Sequence, residues 1–227
     1  MDTIVADTKN LRMIIFGAQK SGKSSFIKCF VTVNRRKFTK VIYISRDAER
    51  REDYNYCGCN RKTLNSGQEL DDYFKKVSAK REQTLVDGKK PPNTLYIVED
   101  SSQYLNHITC KKYKNVSGLA SYSRNLGIQW IFCVHTATTL DTTMRGSATH
   151  LVFAGPFNLK KAVDLSNAIG CISSASDYYE EHAKQTKGRY FVISNEYRIQ
   201  KGQIWSNKRD YRIIEDIPAQ FWTKEGN

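Results

Sequence analysis

The sequence lacks any apolar run long enough to cross a membrane. The longest, Ile128–Val134, is far below the roughly 20 residues that a membrane-spanning helix needs. The amino-terminal stretch MDTIVADTKN lacks the basic and then apolar pattern of a secretion signal. With 40% hydrophobic and 26% charged residues, the composition is not that of a disordered chain. We therefore expect a folded protein that is neither secreted nor membrane-spanning.

Cysteine pairs with the usual spacing of a zinc site are also lacking. Cys57 and Cys59 have one residue between them, whereas paired zinc ligands usually have two or more, and no Cys/His pair follows at finger spacing. A metal site there stays an alternative. The 6 cysteines, in a chain without an export signal, predict free thiols in a reducing compartment. Cys29 and Cys133 lie in apolar runs and are interpreted as small buried hydrophobic residues.

Acidic residues are scarce relative to basic ones. The chain has 36 Lys and Arg against 23 Asp and Glu, a formal net charge of +13. The basic residues occur in small clusters along the whole chain, and any one cluster alone is readily interpreted as a solvated face. Their sum favours a polyanionic partner, because many weak phosphate contacts add up, and nucleic acid is the natural candidate.

Short apolar runs alternate with helix-like stretches, which is typical of a parallel sheet covered by helices on both faces. The predicted strands are residues 11–16, 41–45, 94–98, 129–134 and 150–153. The predicted helices are residues 23–33, 68–86, 117–126, 158–169 and 173–184. Residues 46–66 are predicted to form a loop or insertion, and residues 189–194 and 197–205 a terminal β-hairpin.

The segment GAQKSGKS, from Gly17 to Ser24, matches the pattern G-x-x-x-x-G-K-[ST] in full. Glycine at both ends allows a tight turn that points backbone N–H groups at phosphates. Lys23 is expected to reach the β- and γ-phosphates of a nucleotide and Ser24 to coordinate Mg²⁺, while the following helix presents its positive end. The residues predicted to bind ATP are Gly17, Ala18, Gln19, Lys20, Ser21, Gly22, Lys23, Ser24 and Ser25.

This loop between a strand and a helix predicts an α/β fold of the P-loop NTPase class. We expect a mainly parallel central sheet flanked by helices, with a C-terminal β-hairpin. No repeat or linker divides the chain, so residues 1–227 are predicted to form a single domain. Its core is expected at about residues 11–157 and a C-terminal appendage at about residues 158–227.

Two carboxylates follow the third predicted strand in the segment LYIVED. Glu99 and Asp100 stand where a P-loop protein needs an acid to hold Mg²⁺ or its water. We predict that Glu99, with Ser24, belongs to the metal site, and which of the two carboxylates activates water stays open. Two adjacent acids favour a hydrolase over a kinase, which needs no water-activating base. The alternative is a capping or solvated pair at the end of a strand.

Three further residues are candidates for catalysis. His135 ends the fourth predicted strand, at the side of the sheet where ligands bind, and is either a sensor of the γ-phosphate or a structural residue. Arg124 and Arg145 flank this strand, and either could stabilise charge that develops on the transferred phosphoryl group. Each arginine could instead pair with a carboxylate.

Taken together, GAQKSGKS, LYIVED and YSRNLGIQWIFCVHTATTLDTTMRGSATHLVFAG resemble the viral DNA-packaging ATPases of the FtsK–HerA superfamily, particularly the poxvirus type. The resemblance runs from about Leu11 to Phe157. It implies that Glu99 and Asp100 are the acidic pair, that His135 takes the place of a polar sensor that is usually Gln, and that Arg124 is the arginine finger, with Arg145 as a second functional arginine. The acidic pair departs from the family, which more often has Asp-Glu or Asp-Asp.

The resemblance further implies a homo-oligomeric ring, often a hexamer, that threads double-stranded DNA through a capsid vertex. Basic loops are then expected in the central pore, and Lys111, Lys112 and Lys114 are the candidate DNA contacts. ATP and Mg²⁺ are the expected cofactors. A protein with this function would act in the cytoplasm or nucleus of a host cell at the site of virus assembly, or in association with the virion.

Two other functions fit the motifs. A cytosolic nucleotide kinase would share the P-loop, but the second carboxylate, the net charge of +13 and the sensor segment favour a hydrolase. A nucleotide-regulated DNA-binding or capsid-adaptor protein would bind ATP with little turnover. The hypothesis with the most support is an ATP-hydrolysing translocase that packages viral DNA.

Overall fold

The computed structural model describes residues 10–50, 58–106, 112–135, 139–154, 190–194 and 210–214. The strands in these residues are β1 (Arg12–Phe16), β2 (Lys40–Ser45), β3 (Asn60–Thr63), β4 (Thr94–Val98), β5 (Ile128–Val134), β6 (His150–Ala154), β7 (Tyr190–Ser194) and β8 (Asp210–Ile214). They form one sheet in the order β3-β2-β4-β5-β1-β6-β7-β8. Strands β1 to β6 pair in parallel, and β7 and β8 continue the sheet antiparallel. The predicted α/β fold with a mainly parallel sheet is confirmed.

The central strands are buried because they consist almost entirely of apolar residues. Every residue of β4, β5 and β6 is buried. Along β1 the side chains alternate between two core clusters, with Ile14 in one and Met13 and Ile15 in the other. Continuous burial of this kind is typical of a sheet with helices on both faces.

Helices cover the two faces of this sheet. Those of the described residues are α1 (Lys23–Asn34), α2 (Gly67–Val86), α3 (Lys114–Tyr122) and α4 (Thr142–Ser147). Helix α1 buries Phe26 and Phe30 in the cluster that contains Met13, whereas α2 and α3 bury Leu70 and Leu119 in the other cluster. Across the described parts of the chain, no helix combines the length and the apolar character needed to cross a membrane.

Three elements differ from the predictions. Strand β3 lies inside the predicted loop of residues 46–66. Among the described strands, β3 lies at the edge of the sheet and pairs only with β2. Its sequence, NRKT, is polar, whereas β2 has a buried apolar run, so β3 lacks the apolar pattern by which the other strands were predicted. The short helix α4 was not predicted. The strand that pairs with β7 is β8, whereas the predicted partner, residues 197–205, and the predicted helices at 158–169 and 173–184 lie outside the described residues.

The cysteines that the structure describes are free thiols, as predicted. Cys29, Cys59 and Cys133 are all buried. Burial raises the pKa of the Cys29 thiol to about 11, which keeps it protonated near neutral pH. The other cysteine of the CGC sequence, Cys57, lies outside the described residues.

The parallel strands give the sheet two chemically different ends. At the carboxyl end, each of four strands is followed directly by a polar residue or a glycine: Gly17 after β1, Arg46 after β2, Glu99 after β4 and His135 after β5. At the amino end, Arg124 lies in the turn just before β5 begins. Ligands of open α/β sheets bind at the carboxyl end.

Candidate nucleotide site

A tight loop of residues 17–22 joins β1 to α1 at the carboxyl end of the sheet. Gly22 has a φ of 101° and Lys20 a φ of 61°, both in the left-handed region. A Cβ atom at Gly17 would lie 2.4 Å from Ser21 Oγ and 2.7 Å from the carbonyl oxygen of Ala154, so only glycine fits. Gly22 caps α1 without a side-chain hydrogen bond, which leaves backbone N–H groups of the first turn for an anion.

The Lys23 side chain lies over this loop. Its Nζ donates hydrogen bonds to the carbonyl oxygens of Gly17 at 2.9 Å and Ala18 at 2.8 Å. Lys23 is buried, and burial lowers the pKa of its ammonium group, although the nearby Asp100 and Glu99 carboxylates favour the charged form. The loop carbonyls therefore hold a cation at the start of α1, in the position expected for a phosphate ligand.

Two hydroxyl groups hold the Glu99 carboxylate. Ser24 Oγ donates to Oε1 and the Tyr43 hydroxyl group donates to Oε2. The three residues come from different elements, because Ser24 lies in the first turn of α1, Tyr43 in β2, and Glu99 directly after β4. Pairing of β2 with β4, with Tyr43 opposite Ile97, brings the tyrosine to the acid. The structure thus joins the two residues predicted to hold Mg²⁺.

The Glu99 carboxyl group is strongly perturbed by its surroundings. It is only 4% exposed. Burial raises the pKa of Glu99 to about 7, and the Ser24 hydrogen bond and the Lys23 charge oppose part of that shift. A cation bound beside the carboxylate would stabilise its charged form.

His135 connects the second carboxylate to the loop. Its Nε2 lies 3.3 Å from Asp100 Oδ1, and its Nδ1 lies 3.1 Å from the carbonyl oxygen of Gly17 and 3.3 Å from Lys23 Nζ. Asp100 has a φ of 49°, a left-handed conformation that Asp tolerates better than most residues. The sharp turn after Glu99 sends the two adjacent acids to different partners, Glu99 to Ser24 and Asp100 to His135.

The residues present fit a nucleotide with its Mg²⁺. Ser21 Oγ is buried inside the loop and has no hydrogen-bond partner among the described residues, which a phosphate oxygen would supply. Ser24 and Glu99 offer a hydroxyl and a carboxylate oxygen, the hard donors that Mg²⁺ prefers in proteins. The site can therefore bind a phosphate chain and hold a divalent cation beside it.

The Tyr43 hydroxyl group is expected to matter for metal affinity because it fixes the orientation of Glu99. In Tyr43→Phe, the Mg²⁺ concentration for half-maximal Mg²⁺-dependent binding of a fluorescent ATP analogue should rise about tenfold. Binding of the analogue without Mg²⁺ should not change. Tyr96→Phe, which removes another buried tyrosine hydroxyl group, is the control. An unchanged Mg²⁺ requirement in Tyr43→Phe would show that the tyrosine only fills space.

The two predicted arginines are not part of this cluster. Arg124 is exposed in the turn between α3 and β5, at the amino end of the sheet and thus at the end opposite the P-loop. Arg145 lies in the last turn of α4, where its Nε donates at 3.4 Å to the carbonyl oxygen of Asp141. Within one subunit, the fold separates Arg124 from the nucleotide site by the length of the strands.

The predicted DNA contacts are only partly described. Lys111 lies outside the described residues, whereas Lys112 and Lys114 are exposed. Lys114 begins α3, whose amino end is held by Asp71 of α2, since the Asp71 carboxylate accepts hydrogen bonds from the backbone N–H groups of Asn115 and Val116. Lys114 therefore lies at the start of a helix that α2 holds in place.

The sequence motifs do not identify Tyr43, which belongs to the site, or Arg46, which lies beside it. In the sequence, Tyr43 belongs to a predicted apolar strand, and the signal that identifies it is a hydroxyl group on the strand next to the acids. Arg46 follows β2 directly, at the carboxyl end. Its guanidinium donates to the carbonyl oxygen of Gln103 at 2.7 Å and lies over the Tyr104 ring, which ties it to the turn after Asp100.

A family model described as "Poxvirus A32 protein" matches residues 5–169, more than half of the chain. The matched range contains the P-loop, both acids, His135, Arg124 and Arg145. No curated protein matches the chain in sequence.

Solved structures with the same fold include viral packaging proteins. The genome packaging NTPase B204 from Sulfolobus turreted icosahedral virus 2, in complex with ATP-gammaS, has a TM-score of 0.64 and 16% identity, over 93% of this chain and 100% of that chain. B204 from Sulfolobus turreted icosahedral virus, described as a DNA-packaging ATPase, has a TM-score of 0.66 and 14% identity, over 92% and 100%. VirB4 of Thermoanaerobacter pseudethanolicus has a TM-score of 0.60 and 8% identity, over 96% and 93%. At these identities, the similarity establishes a shared fold.

Proposed function

Because the chain belongs to the poxvirus A32 protein family of viral DNA-packaging ATPases, we propose that it hydrolyses ATP to move double-stranded DNA into a capsid. The observation that carries the proposal is the cluster at the carboxyl end of the sheet. Ser24 donates a hydrogen bond to Glu99 there, and His135 contacts both Lys23 and Asp100, around a loop shaped for phosphates.

The two acids have different roles in this proposal. Ser24 and Glu99 hold Mg²⁺, which when bound neutralises phosphate charge and orients the γ-phosphate. Asp100 and His135 orient the attacking water, with Asp100 as its proton acceptor. His135 lies between the loop and the base: its Nε2 is next to Asp100 Oδ1, and its Nδ1 is next to the carbonyl oxygen of Gly17 and to Lys23 Nζ.

We propose that Arg124 acts in a neighbouring subunit, because the fold separates it from the nucleotide site of its own chain. An arginine supplied by a neighbour requires an oligomer in which the amino end of one sheet faces the carboxyl end of the next. A ring satisfies this requirement at every interface. The resemblance to packaging motors favours a hexamer that docks at a capsid vertex. Arg145, in α4, remains a candidate for a second interface contact.

The net charge of +13 supports DNA as the polymer that is moved. A packaging motor must accept any sequence, and lysines that contact phosphates without reading bases meet that need. The exposed Lys112 and Lys114, together with Lys111, are the proposed contacts. We propose that the protein acts where virions assemble in the host cell.

DNA stimulation of ATP hydrolysis tests this function against its alternatives. We expect low basal turnover that double-stranded DNA of unrelated sequences raises severalfold. Lys112→Ala with Lys114→Ala should reduce this stimulation, whereas Lys75→Ala with Lys76→Ala, an equal charge change on the exposed face of α2, should not.

Turnover that requires a nucleoside monophosphate as phosphate acceptor, and that DNA does not affect, would identify a kinase. A protein that binds ATP and DNA but does not hydrolyse ATP, at concentrations that permit assembly, would be an adaptor. Either outcome would contradict the proposed function.

A further inference from the structure

The turn that follows Asp100 is firmly attached to β4 and packs against the start of α2. Ser101 is fully buried, and its hydroxyl group donates at 2.9 Å to the last carbonyl oxygen of β4. The backbone N–H of Tyr104 donates to the Ser101 carbonyl oxygen, which closes the turn. The buried Tyr104 hydroxyl group donates at 2.9 Å to the carbonyl oxygen of Leu64, just before α2. A displacement of Asp100 would therefore change the contacts between this turn and α2.

The first residue of α2, Gly67, lies between this turn and the segment that carries two of the proposed DNA contacts. A Cβ atom on Gly67 would lie no more than 2.5 Å from the carbonyl oxygen of Tyr104 and from Cε2 of Tyr113. Tyr113 stands between Lys112 and Lys114 in the sequence. Both segments therefore pack directly on the backbone of one residue, and only glycine leaves room for them.

One turn further along α2, Asp71 holds the start of α3. Its Oδ1 accepts hydrogen bonds from the backbone N–H groups of Asn115 at 2.8 Å and Val116 at 2.9 Å, and its Oδ2 accepts from Asn115 Nδ2 at 2.7 Å. Tyr113, which precedes α3, provides no side-chain cap. The Asp71 carboxylate thus takes the place of an N-cap for α3 and fixes the position of Lys114. Because Asp71 is only 7% exposed, water screens this interaction little.

We propose that Gly67 and Asp71 are positioning residues that couple DNA binding to the nucleotide site, because they hold the segment of Lys112 and Lys114 against the turn that follows Asp100. The proposal rests on the function proposed above. A γ-phosphate next to Asp100 and a DNA strand on the lysines both bias the same contacts on the first two turns of α2. Nucleotide and DNA then change each other's affinity by the same factor.

Variants of α2 isolate these contacts from the direct connection along the chain. The turn after Asp100 and the segment of Lys112 and Lys114 are also joined through the residues between them in the sequence. Helix α2 precedes both segments and is not part of that connection. A change in α2 therefore alters the packing between the two segments and leaves their covalent link intact.

The affinity for labelled double-stranded DNA, measured by fluorescence anisotropy with and without ATPγS and Mg²⁺, tests the proposal. In the unmodified chain, the nucleotide should change this affinity by at least about fivefold. Gly67→Ala and Asp71→Asn should each bring the change below about twofold. The DNA affinity without nucleotide should stay within about threefold of that of the unmodified chain, because Lys112 and Lys114 remain.

The controls are Gln68→Ala and Asp72→Asn. The first introduces alanine at an exposed position of the same helical turn as Gly67, and the second removes the exposed carboxylate next to Asp71. Both should keep the nucleotide dependence of the unmodified chain. Thermal denaturation verifies that each variant is folded. If the methyl group of Gly67→Ala prevents folding, Asp71→Asn decides the test alone.

The proposal is overturned if either folded variant keeps the nucleotide dependence of the unmodified chain. It is also overturned if the variants weaken DNA binding equally with and without nucleotide, because the two residues would then only anchor the lysines. An unmodified chain whose DNA affinity does not depend on nucleotide has no coupling for α2 to transmit. If the unmodified chain binds ATP and DNA but does not hydrolyse ATP, the proposed function fails, while the DNA affinities still decide the roles of Gly67 and Asp71.

Discussion

Lys23→Ala is expected to reduce ATP hydrolysis by at least about 10²-fold, because it removes the cation that the P-loop positions for the phosphates. The effect should be large because Lys23 is buried and held by two loop carbonyl groups, so water does not screen its charge. Affinity for ATP should fall as well, since the lysine contacts phosphates in the ground state. Steady-state hydrolysis and equilibrium binding of a fluorescent ATP analogue measure the two effects separately.

The matched control for this change is Lys80→Ala, which removes an exposed lysine of α2. It should hydrolyse ATP like the unmodified chain. The loss of Lys23 also removes one hydrogen-bond donor from the carbonyl oxygens of Gly17 and Ala18, so its folding must be verified by thermal denaturation. Hydrolysis by folded Lys23→Ala within about threefold of the unmodified chain would be incompatible with a phosphate-binding role for this loop.

Glu99→Gln should nearly abolish hydrolysis while making the nucleotide-free protein more stable. Loss of a carboxylate from the metal site should reduce turnover by about 10²-fold or more. Stability should increase because burial raises the pKa of Glu99 from 4.5 to about 7. Between these pH values the unfolded chain releases a proton that the folded chain retains, so the free energy of unfolding falls as the pH rises. Glutamine removes this penalty.

The expected stability gain is on the order of 1–3 kcal/mol at pH 8, at about 1.4 kcal/mol for each pKa unit. It should disappear near pH 4, where the carboxyl group is protonated in both states. Urea denaturation of the nucleotide-free protein at the two pH values measures it, with Glu82→Gln as the control for loss of an exposed carboxylate. If the difference in the free energy of unfolding between Glu99→Gln and the unmodified chain is the same at both pH values, the assigned burial of this charge is contradicted.

The nucleotide loop and its acids were predictable because each is tied to a local pattern. The glycines of GAQKSGKS favour a tight turn through their own backbone freedom, without help from distant residues. Glu99 and Asp100 directly follow an uninterrupted apolar run. In a parallel sheet, residues that follow such runs meet at one end. The proximity of Gly17, Glu99 and His135 therefore follows from the strand pattern alone.

Other parts of the site depend on pairing that no local pattern encodes. Strand β3 is polar because it has one partner, and its assignment to the sheet requires the register with β2. The hydrogen bond from Tyr43 to Glu99 arises only because β2 lies next to β4. The position of Arg124 at the amino end follows from the direction of β5, whereas the sequence alone leaves open whether this arginine acts in its own subunit or in a neighbouring one.

The most direct test of the account is steady-state ATP hydrolysis measured against protein concentration, with and without double-stranded DNA, using Lys23→Ala as the blank. If subunits complete one another's sites, turnover per subunit should rise with protein concentration and rise further when DNA is present. Turnover per subunit that is constant across the concentration range and indifferent to DNA would contradict both the shared site and the role in DNA packaging.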